Sequence, residues 1–587
     1  MSSTPDSHSR AIPHPLSLSF PRSVWLFALA LAAITSLPYL VGALRTPSAW
    51  EYSGAAALPN GAQVDFNSHM AKMWQGSRGQ WDYHLLFTSE PHAGLPLVQG
   101  FYVALGALAH LLSLSLPVMY HIARFVLTAA MVLALWAFAC HFFDQPLERW
   151  LCLLFATVAS GWSWLLLFLA PALTKQVAPI EFWLSDAFNL FGAFYMPHFA
   201  AAVCLQIVAF LAFERWVSAK DLAQRHEDTK AQRERVKDAN LSALNSSLIP
   251  HPSSLLALTL ALAAESIVQP YVVLLTAPLI VILTAYHVFS SHKLAWQRAL
   301  WLLIPLGVHG ALVLYQYLMI GADPVWTNFS AQNITASPDP LYYVLGYLPF
   351  IIPILLGARR FMVDRAEDRW WLPILWVILV AMLLYAPLPT QRRYLLGIQT
   401  PLAALAAYGW SRAVLPHFIS SRAKRVVTGG YLLFAGIALL AMIVMNGLAL
   451  ATPAEHPALF YNPDELAGQA WLRSHADPND VVLTTFDASG NGSGGHLVAA
   501  TGERVFIGHW IETVNFDQKV AQVAQFYNPA TSDDWRRNFL RDNHIAYIWY
   551  DDYARESGRW NPAGADYLQM ALESGGVTVY RVLDVTT

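Results

Sequence analysis

Long apolar runs separated by short charged segments organise this chain. Runs at 24–44, 119–142, 150–172, 197–216, 270–290, 299–320, 340–357, 371–388, 394–413 and 426–450 are each close to the length that spans a bilayer, and 254–268 is a shorter one. A hydrocarbon core of about 30 Å needs about 20 apolar helical residues. The pattern predicts a mainly α, polytopic transmembrane helix bundle of about eleven spans. One further apolar run, 95–116, has to be placed by other means.

Lysine and arginine place it. Charged stretches at 214–238, 291–298, 358–369 and 411–425 read as cytoplasmic under the positive-inside tendency. Segments 173–196, 320–339, 389–393 and everything after 451 then fall on the opposite side. Arg10 and Arg22 put the N-terminus inside, so 45–94 is external, and the loop 141–150 must be inside. Only one crossing fits between 95 and 141, so 95–116 is expected not to cross. The expected organisation is a disordered cytoplasmic tail (1–22), a transmembrane region (23–452) with a long external loop of interfacial helices (45–118) and a charged cytoplasmic loop (214–253), and an extracytoplasmic domain (453–587).

Composition agrees. The 587 residues are 56% hydrophobic and 13% charged, about half the charged share of a soluble domain. A net charge of −3 offers no basic surface for nucleic acid. Cys140, Cys152 and Cys204 lie in apolar runs and read as buried structural thiols. The 24–44 run is too long for a signal-peptide core and reads as an uncleaved first span.

After Pro453 the pattern changes. Residues 462–475 and 531–543 read as helices, and "DVVLTTF", "RVFIGHW", "HIAYIWYDD" and "VTVYRVL" as short strands, which together predict a small α/β domain. The glycine-rich stretch 487–496 lacks phosphate-loop spacing and reads as a flexible surface loop.

Candidate chemistry gathers in the external segments. In "QVDFNSHMAKMWQG" (63–76), Asp65, His69 and Lys72 share one helical face beside an apolar one. The expectation is an interfacial helix, apolar side down, whose polar face meets water and headgroups. A carboxylate there can act as general base toward a hydroxyl. Segment 181–199 adds Glu181, Asp186 and His198 among aromatics, a set suited to sugar, and two acids at one mouth can share a metal ion. Arg392 and Arg393 stand at the external end of a span, against the charge bias. Their forked donors suit phosphate. Gln269, Pro270 and Tyr271 break a helix at membrane depth or at its edge, either as backbone lining a cavity or as a plain hairpin turn.

This pattern resembles polytopic glycosyltransferases of the GT-C fold, in which the first span is followed by a long external loop with an acid near its start. Asp65 in "QVDFNSHMAKMWQG", Asp186 in the next external loop, and Arg392 with Arg393 in "QRRYLLGIQTPLA" match those positions. The resemblance implies Asp65 as catalytic residue, His69, Lys72, Asp186, His198, Tyr271, Arg392 and Arg393 as substrate-binding, and a divalent cation, Mg or Mn, with Asp65 and Asp186 as its candidate ligands. It implies a polyprenyl-phosphate sugar donor, an acceptor glycan, lipid or protein, inversion at the sugar carbon, and the bacterial plasma membrane. Phe66 follows Asp65, so the Asp-Glu pair of protein-mannosyltransferase relatives is absent, as is the WWDYG motif of oligosaccharyltransferases. The rival readings are a transporter or lipid flippase without covalent chemistry, and a scaffold or sensor working through its C-terminal region.

Overall fold

The computed structural model describes residues 20–59, 61–175, 178–234, 252–363 and 367–583. The expected tail 1–22 lies outside them except for its last three residues, and the expected charged loop 214–253 does so from 235 to 251.

Five helical stretches are long and apolar enough to cross a membrane: Arg22–Arg45, Leu116–Phe142, Pro197–Ser218, Pro270–Ser290 and Trp296–Ala322. Two bent pairs, Pro340–Gly346 with Leu348–Val363 (75°) and Ser421–Ala435 with Ile437–Leu450 (51°), bring the number to as many as seven. The chain is an integral membrane protein. The expected count of eleven is not reached among the described residues, because an apolar run is not always one helix. The 150–172 run is helical as Pro146–Thr157 and then breaks into short turns beyond Gly161. The 371–388 run yields only Trp371–Leu383, which ends ahead of Pro387. The unassigned run 95–116 forms the helix Gly100–Leu111. At 1.5 Å per residue it is about 18 Å long, short of a bilayer core.

The segments assigned to each side by charge are neighbours in space. At one end, the Arg369 guanidinium donates to the His141 carbonyl (2.6 Å), Arg298 to the Trp216 carbonyl (2.6 Å), and Lys293 pairs with Asp368 (2.8 Å). At the other end, the Arg392 amide donates to the Thr335 carbonyl (3.1 Å), and the Gln332 amide donates to the carbonyls of Ile511 (3.0 Å) and Thr513 (2.8 Å).

Beyond the last span lies a five-stranded sheet, in spatial order Arg504–Val505, Val481–Leu483, Ile545–Tyr550, Val577–Val582 and Leu568–Ser574. The first three are parallel and the last two pair antiparallel. Four of these strands match the expected ones; Leu568–Ser574 and the helices Gly494–Thr501 and Phe516–Phe526 were not foreseen. Helix Pro463–His475 starts on a capping box, Asn462 and Glu465 satisfying each other's backbone amides. One core of the sheet is built almost wholly from C-terminal residues, among them Leu483, Phe526, Ile548 and Tyr580. A second is shared: Ala71, Leu86 and Phe87 of the loop after the first span pack with Leu472, Val482, Leu497 and Trp549. A short antiparallel pair, Glu51–Tyr52 with Phe460–Tyr461, ties the same loop to the chain after the last span.

The helix Ala62–Ser77 therefore sits between the bundle and the sheet. It crosses Gly100–Leu111 at backbone contact: a Cβ on Gly76 would meet the Val103 carbonyl oxygen at 1.9 Å, and one on Gly106 the Met73 carbonyl oxygen at 1.9 Å.

Candidate active site

The Ala62–Ser77 helix begins after Gly61 in the left-handed region (φ 87°) and carries Asp65 in its first turn, where the helix dipole favours an anion. The expectation of a surface helix with a solvated polar face is corrected. His69 and Lys72 are buried, and so are Asn67 and Ser68; Asp65 is half-buried. For Ser68 and Lys72 the C-terminal region supplies a partner, while both ring nitrogens of His69 have no hydrogen-bond partner. Lys72 Nζ pairs with Glu512 (2.9 Å) and donates to Ser68 Oγ. Glu512 also accepts from the hydroxyls of Ser68 and of Tyr83 (2.5 Å). Burial opposes ionisation of Glu512, but Lys72, His509 and the two hydroxyls outweigh it and hold the carboxyl below its ordinary range. Lys72, expected to touch substrate, is thus engaged with Glu512. The glycine-rich stretch 487–496 is not a free loop either: Gly490 lies against Trp510 and Gly495 against Asn67, with no room for a side chain.

Asp65 lies on the bundle side, where Tyr195 donates to its Oδ2 (3.3 Å). Asp186 enters from the turn Ser185–Ala187, which packs on the turn Gln391–Leu395 that carries both arginines. Arg393 faces Asp186 at 3.7 Å. Arg392 stacks over the Trp183 ring at 5.2 Å. Tyr271, delivered by the expected helix break at Gln269–Pro270, borders the same turn and accepts a hydrogen bond from Asn333 (2.7 Å).

The charges of this group act on one another. Burial lifts the Asp186 carboxyl above its ordinary range against the pull of Arg393 and Arg392, and Asp65 adds to the lift. Burial weakens the Arg393 charge, yet Asp186, Tyr271 and Asp65 outweigh it and raise its proton affinity. Burial and the neighbouring Arg393 lower that of Arg392. Asp65, Asp186, Arg392 and Arg393, spread over more than three hundred positions, thus form one electrostatic group. Its polar atoms are not all used: Asp186 Oδ1, Arg392 Nε, Arg393 Nε and Thr335 Oγ1 are buried without a hydrogen-bond partner.

His198 and His69 form the wall between the two sides. The His198 ring bonds the Tyr102 hydroxyl (2.7 Å), and His69 stacks on Tyr102 at 3.9 Å. Burial, then Lys72 and His198, push His69 well below its ordinary range, so it is neutral. Glu181 is turned away and caps Ser163 through that residue's amide (2.6 Å) and hydroxyl. Tyr195, Tyr102, Trp183 and Glu512 were missed in the sequence. A hydrophobic pattern hides tyrosines in apolar runs, and only the alternation of sides hinted that residues near 512 face Asp65's helix.

As for a cation, Asp65 is near enough to Asp186 to add to the lift of its carboxyl, and two carboxylates with water can anchor Mg or Mn. No group of three or more His, Cys, Asp or Glu side chains arranged for a metal ion occurs among the described residues.

No protein family's sequence profile matches this chain. A 98-residue stretch is 33% identical to part of the DNA translocase FtsK of Pseudomonas aeruginosa, covering 14% of this chain and only 12% of that protein. The oligosaccharyltransferase of Archaeoglobus fulgidus, solved tethered to an acceptor peptide containing the NVT sequon, superposes over 89% of this chain and 69% of that one, with 11% identity and a TM-score of 0.50. The chain has the GT-C fold. ArnT from Cupriavidus metallidurans, solved bound to undecaprenyl phosphate, is similar over 96% of this chain and 98% of that one, at 10% identity and a TM-score of 0.46. The Asp65 helix lies between the first two long apolar helices, Arg22–Arg45 and Leu116–Phe142.

Proposed function

We propose that this protein is a membrane glycosyltransferase that moves a sugar from a polyprenyl-phosphate-linked donor to an extracytoplasmic acceptor with inversion. One observation carries the reading: a half-buried carboxylate and two arginines with unused donors meet at one end of a GT-C bundle. Asp65 takes the proton of the acceptor hydroxyl. The hydroxyl oxygen attacks the anomeric carbon, and the bond from that carbon to the phosphate oxygen breaks. Polyprenyl phosphate leaves with the bonding electrons, and Arg392 and Arg393 stabilise its charge. Asp186 orients Arg393, while Trp183, His198 and Tyr271 shape the sugar side. A divalent cation held by Asp65 and Asp186 would add positive charge at the same place. The bacterial plasma membrane, with the sheet on its outer side, is the setting this reading requires.

The test is Asp65→Asn in purified protein supplied with a radiolabelled polyprenyl-phosphate sugar. Transfer is expected to fall at least about a thousandfold, in the range set by loss of a general base with its positioning, while expression and membrane insertion persist. Retained turnover rejects the role given to Asp65. Comparing Mg, Mn and chelator in the same assay decides the cation.

A second reading, transport without covalent chemistry, draws on Glu265 and His309, buried and 3.9 Å apart between helices. Ionisable side chains inside a bundle often mark a transport path. Release of labelled sugar from its carrier separates the two, because a transporter moves the lipid intact.

A further inference from the structure

The Ala62–Ser77 helix presents a second face to open space. Phe66, Met70 and Trp74 line a cleft of about 450 Å³ between the bundle and the C-terminal region, a volume usual for small-ligand sites. Leu114 and Leu116 extend its apolar wall. Exposed His110, Ser113 and Ser115 form one side of the mouth, Glu51 and Arg473 the other. At its inner end lies Gln469. Only 2% of that residue is exposed, and its amide has no hydrogen-bond partner among the described residues. That amide faces the cleft, where a ligand group can pair with it.

The mouth also continues a lipid-facing surface. Val118, Ile122 and Val126 are exposed at four-residue spacing on Leu116–Phe142, and Leu111 and Leu112, also exposed, stand beside the lining residues His110 and Ser113. A ligand entering here has an apolar stripe on one side and amide, guanidinium and hydroxyl groups on the other.

We propose that this cleft binds a membrane lipid with a hydroxyl-bearing head, its acyl chain along the Leu111–Val126 stripe and its head on Gln469 and Arg473. Resting on the transferase reading, this lipid is the acceptor. Phe66 lines the cleft and also borders the small cavity at Tyr195, whose hydroxyl donates to Asp65, so the cleft adjoins the cavity next to the base.

The full chain in phosphatidylcholine nanodiscs is exposed to three lipids with a diazirine on the acyl chain: glucosyl diacylglycerol, phosphatidylglycerol and phosphatidylcholine. Crosslinked peptides are then mapped. Peptides holding Met70 or Leu114 are expected to be labelled by a hydroxyl-headed probe about tenfold over the phosphatidylcholine probe, the worth of one or two hydrogen bonds. The glucosyl and phosphatidylglycerol arms distinguish a sugar head from a phosphoglycerol one. Gln469→Leu should erase that preference, and Ala500→Trp, which fills the cleft, should erase the labelling, both with an unchanged melting temperature. Equal labelling by all three probes means ordinary boundary lipid and overturns the site, as does absence of label. Labelling that persists in Asp65→Asn, with sugar found on the probe lipid only in the wild type, establishes the acceptor role. Labelling with no donor turnover by the wild type leaves the site standing and rejects the transferase reading.

Discussion

Two ion pairs flank the same helix, one buried and one partly exposed, and they differ in how completely they are satisfied. Lys72 and Glu512 are 2.9 Å apart, each about 4% exposed, and Ser68 and Tyr83 complete the carboxylate's shell. Arg393 and Asp186 are 3.7 Å apart, with Asp186 Oδ1 and Arg393 Nε unpartnered. The first pair leaves nothing for a ligand. It fixes the helix to the C-terminal region. The second has donors and an acceptor to spare at the place where charge would develop during transfer. The carboxylates are equally buried, and what separates the two pairs is the arginine's partial exposure together with the unused hydrogen-bonding capacity.

The comparison can be broken most sharply at Lys72. Lys72→Met leaves Glu512 buried and uncompensated, and should lower unfolding stability by about 3–5 kcal/mol. Lys72→Met with Glu512→Leu should recover most of that loss, because a packed apolar pair replaces the ions. Thermal denaturation in detergent measures both. A single variant as stable as wild type would mean that the pair does not hold the helix.

Arg393→Ala should behave oppositely. Transfer is expected to fall by about a hundred- to a thousandfold, the cost of one lost charge-stabilising donor. The melting temperature should move little. A stability loss as large as that of Lys72→Met would put Arg393 in the scaffold.

Acid gives the smallest and most discriminating effect. The Glu512 carboxyl is held below its ordinary range, so its stabilisation is full above about pH 4 and disappears as pH falls through the lowered value. Asp186 is raised, so the fold gains from its protonation: stability from this group is greatest below about pH 4 and declines as pH rises through the raised value. Between pH 7 and 4, Asp186→Asn should therefore lessen any gain on acidification, whereas Glu512→Gln should flatten the loss seen at still lower pH. Parallel melting curves for both variants would contradict the assignment.

Much of the site could be read from residue order because charge reports sidedness. Arg392 and Arg393 defied the positive-inside tendency, and the alternation of loops put Asp65, Asp186 and Tyr271 on their side, where the structure gathers them. What local pattern could not show is long-range pairing. Asn67, Ser68 and Lys72 look like a wetted face because polar residues at helical spacing usually are. Glu512, whose carboxylate makes the burial of Ser68 and Lys72 tolerable, lies some four hundred positions away. The count of eleven spans is not confirmed among the described residues. Apolar content was sufficient at 150–172 and 371–388, but Gly161 and Pro387 set where the backbone can stay helical.

The glycine crossing of Ala62–Ser77 with Gly100–Leu111 has a mechanical consequence. With Gly76 and Gly106 each pressed on the opposite main chain, neither rod can roll or slide without collision. Even a single methyl group at either contact would push the rods apart by a sizeable fraction of a carbon diameter, and Asp65 would travel with its rod. The position of the Asp65 carboxylate is thus set by two residues that bear no side chain at all.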